Sequence, residues 1–133
     1  MKRTPLLHAE LSQVIASMGH GDMLVLGDAG LPIPVGPGAP QRIDLAVCRG
    51  TPDLRTVLQA VLTELQVEST IIASEALGAH QELPTWYDHA LPAQPATLGH
   101  TEFKKLCSQA RAIVRTGECT PYANIILVAG VAF

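Results

Sequence analysis

Met23-Leu24-Val25-Leu26 is a continuous apolar run that closes in Gly27-Asp28-Ala29-Gly30. An uninterrupted run, as opposed to an alternating one, reads as a strand buried on both faces, so the chain must supply covering layers on each side of a sheet. Two amphipathic patterns offer them. Leu7, Leu11, Val14, Ile15 and Met18 recur at spacings of three and four, a helical stripe that Gly19 is expected to close as a left-handed residue. Leu54, Val57, Leu58, Val61, Leu62 and Leu65 repeat the pattern, with Thr51 read as N-cap and Pro52 in the first turn. Ile43–Val47, Val67–Ala73, Ala112–Arg115 and Asn124–Val128 read as further strands. A helix is expected from His100 to about Gln109 and a short one near Glu75–His80, whereas the stretch around Pro84, Pro92 and Pro95 carries no assignment. Pro32 to Pro40, with four prolines and two glycines, is a loop poor in backbone donors. This alternation predicts one α/β domain over residues 1–133, a layered fold with a largely parallel central sheet flanked by helices. Ligands collect at the carboxyl ends of strands in open sheets of that kind, and Asp28 stands at such an end.

Composition removes several classes of function. The formal charge of −3 is scattered, with no basic run longer than Lys2-Arg3 or Lys104-Lys105, and the aromatic set is only Trp86, Tyr87, Tyr122, Phe103 and Phe133. Nucleic acid is therefore not an expected partner. No segment approaches the roughly 20 apolar residues of a membrane span. The start fails as a signal peptide because His8, Glu10, Ser12 and Gln13 interrupt the apolar stretch. Cys48, Cys107 and Cys119 are odd in number and lack CxxC spacing, so neither a disulfide framework nor a zinc site is expected, and a reducing cytosol fits. GxGxxG, P-loop and GxSxG patterns are all absent, which leaves no expected nucleotide cofactor, metal or serine-hydrolase elbow.

Chemistry must then come from ordinary side chains. Imidazole, with an unperturbed pKa of about 6.5, gives and takes protons near neutrality. Of His8, His20, His80, His89 and His100, His20 is set apart by its glycine neighbours, just past a helix end and just before the buried strand. It reads equally as an acid-base placed for close ligand approach and as a helix-stop residue facing the negative end of the dipole. Asp28 reads as a ligand contact or as an Asx-turn. Tyr122 and Asn124 could hydrogen-bond sugar hydroxyls, or serve as a packing residue and a strand-end cap. Cys119, with no local His or Lys, reads as structural.

Met18-Gly19-His20-Gly21-Asp22, Asp28-Ala29-Gly30-Leu31-Pro32-Ile33-Pro34, Arg42-Ile43-Asp44 and Gly117-Glu118-Cys119-Thr120-Pro121-Tyr122-Ala123-Asn124-Ile125-Ile126-Leu127 together resemble the D-ribose pyranase family, in order and over nearly the whole chain. The L-fucose mutarotases of the same superfamily share the Gly-His and Gly-Glu-Cys elements. The Leu31-Pro32-Ile33-Pro34 and Pro-Tyr-Ala-Asn forms look closer to the ribose branch. Residues 35–41 and 81–98 depart from the family pattern, the second leading directly into His100.

The resemblance implies a cofactor-free isomerase that interconverts pyranose and furanose forms of D-ribose by general acid-base catalysis, supplying the furanose to a downstream kinase. It implies His20 as the catalytic proton donor, and Asp28, His100, Tyr122, Ala123 and Asn124 as sugar-binding. It further implies a homo-oligomer, pentamer rings forming a decamer, with sites between neighbouring subunits and the apolar end Val128 to Phe133 available for an interface. A fucose-type mutarotase and a non-catalytic sugar-binding accessory of a transporter are the alternatives.

Overall fold

A computed structural model describes residues 1–133. Six strands form one sheet: β1 (Met23–Gly27), β2 (Gln41–Asp44), β3 (Val67–Ala73), β4 (Ala96–Leu98), β5 (Ala112–Arg115) and β6 (Ile125–Ala129), in the order β2-β5-β1-β6-β3-β4. β2, β5 and β1 are mutually parallel, and so are β3 and β4. β6 runs antiparallel between β1 and β3, joining the two parallel groups. Three helices cover the sheet: α1 (Ala9–Ser17), α2 (Leu54–Leu62) and α3 (His100–Cys107).

The continuous apolar runs explain the layering. Side chains alternate across a strand, so Leu24, Leu26, Ala112, Val114, Ile125 and Leu127 face one side, where they join Leu11, Val14 and Ile15 of α1 and Leu54, Leu58 and Val61 of α2. Val25, Ile113 and Ile126 face the other side, against Phe103 and Cys107 of α3. Each Leu, Ile or Phe buried in this way contributes about 1.5–3 kcal/mol, so neither layer can be peeled off cheaply. Charged Arg42 and Asp44 lie on β2, an edge strand, where they discourage pairing with another sheet.

Several local expectations move. α1 ends in an extended Met18, and the left-handed glycine is Gly21 (φ 84°), two residues after Gly19. His8 begins that helix, its Nδ1 accepting the Leu11 N–H at 3.3 Å. α2 starts at Leu54 with Asp53 as its cap, because that carboxylate takes the Thr56 N–H at 2.8 Å and Thr51 makes no such bond. β2 spans Gln41–Asp44, earlier than the Ile43–Val47 reading. The helix expected near Glu75–His80 is a single 3₁₀ turn over Ser74–Ala76. Within the unassigned stretch, Trp86 and Leu91 are buried in the α1–α2 layer, and β4 follows as the last edge strand, delivering the chain to His100.

Candidate active site

Five of the six strands point the same way, so their carboxyl ends share one edge of the sheet; antiparallel β6 begins there. Asp28 follows β1, Glu75 follows β3, His100 follows β4 and Asn124 precedes β6. The edge is where an open sheet collects ligands.

Asp28 and Asn124 are locked together. The Asp28 N–H donates to Asn124 Oδ1 at 2.8 Å, and Asn124 Nδ2 donates to Asp28 Oδ2 at 2.9 Å. Asp28 Oδ1 also accepts the Gly30 N–H at 2.8 Å, which closes the Asx-turn. Gly27 makes this possible: a Cβ there would lie 3.1 Å from Asn124 Oδ1 and 2.5 Å from Leu31 Cδ2. Asn124 is fully buried. An ionised carboxylate has about four lone-pair directions, so Asp28 keeps acceptor capacity for a ligand hydroxyl.

The turn carrying Asp28 is held from both sides. The Ala29 N–H donates to the Glu118 carbonyl at 2.8 Å, and Arg115 Nε donates to the Ala29 carbonyl at 3.0 Å. Arg115 Nη1 in turn lies 3.1 Å from both carboxylate oxygens of Asp44. Burial pushes the Asp44 carboxyl up, but the Ala46 N–H and the two guanidinium groups of Arg42 and Arg115 outweigh it and hold it below the usual range. Glu118 works similarly. Burial favours its neutral form, yet the Thr120 hydroxyl and the N–H groups of Leu54, Thr120 and Cys119 hold the carboxyl below its ordinary value. One side chain thus ties the start of α2 to the turn that leads into Tyr122.

Tyr122 adopts a left-handed backbone (φ 60°) and accepts the Asn124 N–H at 2.8 Å. Ala123, between them, is buried and donates to the Thr120 carbonyl at 3.2 Å. The His100 ring meets Tyr122 edge-on, with centroids 5.0 Å apart, and stacks over Phe103 at 6.4 Å. Both oxygens of Glu75 accept the His100 N–H at 3.0 Å, a contact that leads the causes lowering the Glu75 carboxyl. His100 Nδ1 is buried without a hydrogen-bond partner. A buried polar atom of that kind carries a cost that a ligand hydroxyl would relieve.

His20 lies elsewhere. It precedes β1, whereas Asp28 follows it, so roughly 17 Å of strand separates them at about 3.3 Å per residue. The reading that Asp28 is the companion of His20 therefore fails within one chain. Its Gly19–Asp22 turn is fixed by the Gly19 N–H on Asp22 Oδ2 at 2.9 Å and the Gly21 N–H on the Ala129 carbonyl at 2.8 Å. The ring is exposed, and Nε2 lies 2.8 Å from Glu68 Oε2. His20 cannot share a site with His100 in the same chain either. The surface cavities of the chain, lined in part by Glu102 and Gln109, by Val47 and Arg115, and by Gln59 and Asp88, contain none of His20, His100, Tyr122 or Asn124.

The residues named from sequence therefore lie at two opposite edges of the sheet. Sequence reading missed Glu68, Glu75, Asp44 and Arg115, whose partners lie 25 or more residues away. Arg42-Ile43-Asp44 had stood out as a motif, with no role attached.

Comparison with known proteins gives a consistent picture. The chain is 60% identical to the D-ribose pyranase of Variovorax paradoxus over 135 residues and 62% identical to that of Paracidovorax citrulli over 134, covering all of each protein. Its fold matches the structure of Bacillus subtilis RbsD complexed with D-ribose at a TM-score of 0.88, with 40% identity and full coverage of both chains. The fucose mutarotase of Streptococcus pneumoniae, solved with L-fucose, matches at a TM-score of 0.75 and 26% identity, again over both full chains. Residues 1–132 match the RbsD / FucU transport protein family. With motifs, topology and full-length similarity in agreement, the chain belongs to that family.

Proposed function

We propose that the protein is an isomerase that interconverts the pyranose and furanose forms of D-ribose by general acid-base catalysis without a cofactor. The observation that carries this reading is the full-length identity to D-ribose pyranases together with a carboxyl edge built to take hydroxyls. Ring opening removes the proton of the anomeric hydroxyl and places one on the ring oxygen; a different hydroxyl then closes the five-membered ring. Asp28 accepts sugar hydroxyls with its free lone pairs, and His100 Nδ1 meets another. The Tyr122-Ala123-Asn124 segment sets the floor of the site. His20 is the proton donor, and a placed imidazole contributes roughly 10²- to 10⁴-fold to such a reaction. Holding the open aldehyde beside it prevents loss of the intermediate.

The separation of His20 from Asp28 along β1 supports a site completed by a second copy, in which one chain's amino edge meets another's carboxyl edge. Such a head-to-tail contact is heterologous and gives a ring when the rotation between copies closes. Pentamer rings stacked as a decamer are the assembly in this reading, with Val131 and Phe133 exposed on the single chain and available for contact. A cytoplasmic setting belongs to it as well, and Cys48, Cys107 and Cys119 are all free thiols.

Saturation-transfer NMR on D-ribose and L-fucose tests the activity. Accelerated pyranose–furanose exchange of ribose is expected, and tight ribose binding without faster exchange would instead identify a binding accessory. Faster exchange confined to fucose would transfer the protein to the mutarotase branch. Mixing His20→Ala chains, which lack the proton donor, with Asp28→Asn chains, weakened in sugar binding, before assembly should restore about a quarter of the sites, since each needs one edge from each variant. No recovery would overturn the shared site.

A further inference from the structure

Glu68 is on no motif, yet three features of the fold converge on it. The first is its contact with the ring: Oε2 lies 2.8 Å from His20 Nε2, and a carboxylate can only accept, so Nε2 donates. The second is the register of β3 against β6. Val67 pairs with Ala129 and Ser69 with Val128, which leaves Glu68 as the extra residue of a β-bulge. Bulges re-aim a side chain and recur beside active sites. The third is Gly130, opposite the bulge. A Cβ there would come within 2.9 Å of Glu68 Cβ, so glycine is what lets the bulged residue sit this close to the end of β6. The Gly130 N–H on the Gln66 carbonyl at 2.9 Å and the Gly21 N–H on Ala129 anchor both partners to the end of β6.

An exposed ion pair adds little stability, and the side chains of His20 and Glu68 are 64% and 44% exposed. A bulge and a glycine spent on such a pair are therefore better explained by orientation. The hydrogen bond made by one imidazole nitrogen decides which nitrogen does the chemistry. We propose that Glu68 is the positioning residue of His20: it takes the Nε2–H bond, fixes the ring's tautomer and rotation, and leaves Nδ1 as the atom that exchanges protons with the sugar. In that arrangement Nδ1 accepts the anomeric hydroxyl proton and returns it to the ring oxygen. The C1=O bond forms as the bond from C1 to the ring oxygen breaks, and no net proton is gained or lost. Glu68 remains a carboxylate throughout and balances the transient imidazolium.

The inference rests on His20 being the proton-transfer residue, and a double-mutant cycle separates the two ideas. Glu68→Leu should lower kcat for ribose exchange by roughly 10- to 100-fold, a part of what the acid-base contributes, with KM unchanged. Glu68→Gln keeps an oxygen for the Nε2–H bond at the same size and should recover most of the rate. Gly130→Ala, whose Cβ would come within 2.9 Å of Glu68 Cβ, leaves both side chains present and forces Glu68 to shift, and should lower kcat as well. Adding Glu68→Leu to His20→Ala should cost nothing further. A Glu68→Leu enzyme with wild-type kcat, or an additive loss in the double variant, overturns the role of Glu68 alone. Wild-type exchange by His20→Ala overturns the proton-transfer reading and this one with it.

Discussion

At the carboxyl edge of the sheet, Asn124 is fully buried, Asp28 is bonded through its N–H and both carboxylate oxygens, and Arg115 and Glu118 brace the turn from either side. At the amino edge, His20 stands on an exposed turn and its ring meets Glu68. Under the proposed function the contrast separates two physical tasks. Groups that recognise a polar ligand must be held still beforehand, because freezing them at binding would consume affinity. A group that exchanges protons must be reachable, and a local two-residue contact is enough to orient it. The carboxyl edge is therefore expected to respond to substitution through stability and binding, and the amino edge through rate.

The largest expected effect tests the rate half. His20→Ala should reduce catalysed ribose exchange by about 10²- to 10⁴-fold, while calorimetry finds ribose affinity within a few-fold of wild type. A large loss of affinity would show that the two edges do not divide the work. Next comes Asn124→Leu, close in volume but unable to partner Asp28. It strands the Asp28 N–H in the interior, so stability should fall by about 1–3 kcal/mol in chemical denaturation and ribose affinity by about tenfold or more.

Glu118→Gln sharpens the comparison through pH. The folded-state carboxyl is held below its ordinary value, so its ionisation stabilises the fold fully above the unfolded pKa of about 4.3 and that contribution is lost as pH falls through the lower folded value. Wild type should therefore be the more stable of the two near neutrality, by about 1–2 kcal/mol. The gap should narrow below about pH 4, and a gap constant with pH would show that the carboxylate charge is not what ties α2 to the Tyr122 turn. The smallest effect belongs to Arg115→Lys, which loses the joint contact with Ala29 and Asp44 on a partly exposed side chain. A change within about 1 kcal/mol in stability is expected, with a rise in KM of a few-fold and unchanged kcat. A fall in kcat instead would mean that the Asp28 turn takes part in the chemical step.

How much of this was legible in the sequence follows from how local each signal is. β3 and β5 appear at the residues expected, since β-branched and apolar runs advertise burial along the strand itself. The stripe of α2 is equally local, and Leu54, Val57, Leu58 and Val61 are indeed buried. β4 was invisible: three residues, two of them exposed, are a strand only because β3 lies beside them. Gly19 lost the left-handed position to Gly21 because the bond from Gly21 to Ala129, more than 100 residues on, sets where the turn is sharpest. Asp28, Tyr122 and Asn124 lie in motifs, His100 was named only through the family resemblance, and the fold brings all four to one edge. The braces behind them, Glu75 and Arg115, have no local pattern, because each is defined by a partner in another element.

The antiparallel course of β6 has a further consequence. Asn124 stands at its start, and Ala129 and Gly130, which hold the His20 turn and face Glu68, stand at its end. The strand is thus a ruler of fixed length laid between the Asp28–Asn124 cluster and the His20 turn, buried along most of its length and clamped between β1 and β3. A parallel strand in its place would begin and end at the wrong edges. Any residue inserted into it would shift one cluster against the other by about 3.4 Å and turn every following side chain to the opposite face. In the ring proposed above that error would recur at each joint and be multiplied around the assembly. Length, and not only identity, is therefore what selection is expected to guard between Asn124 and Gly130.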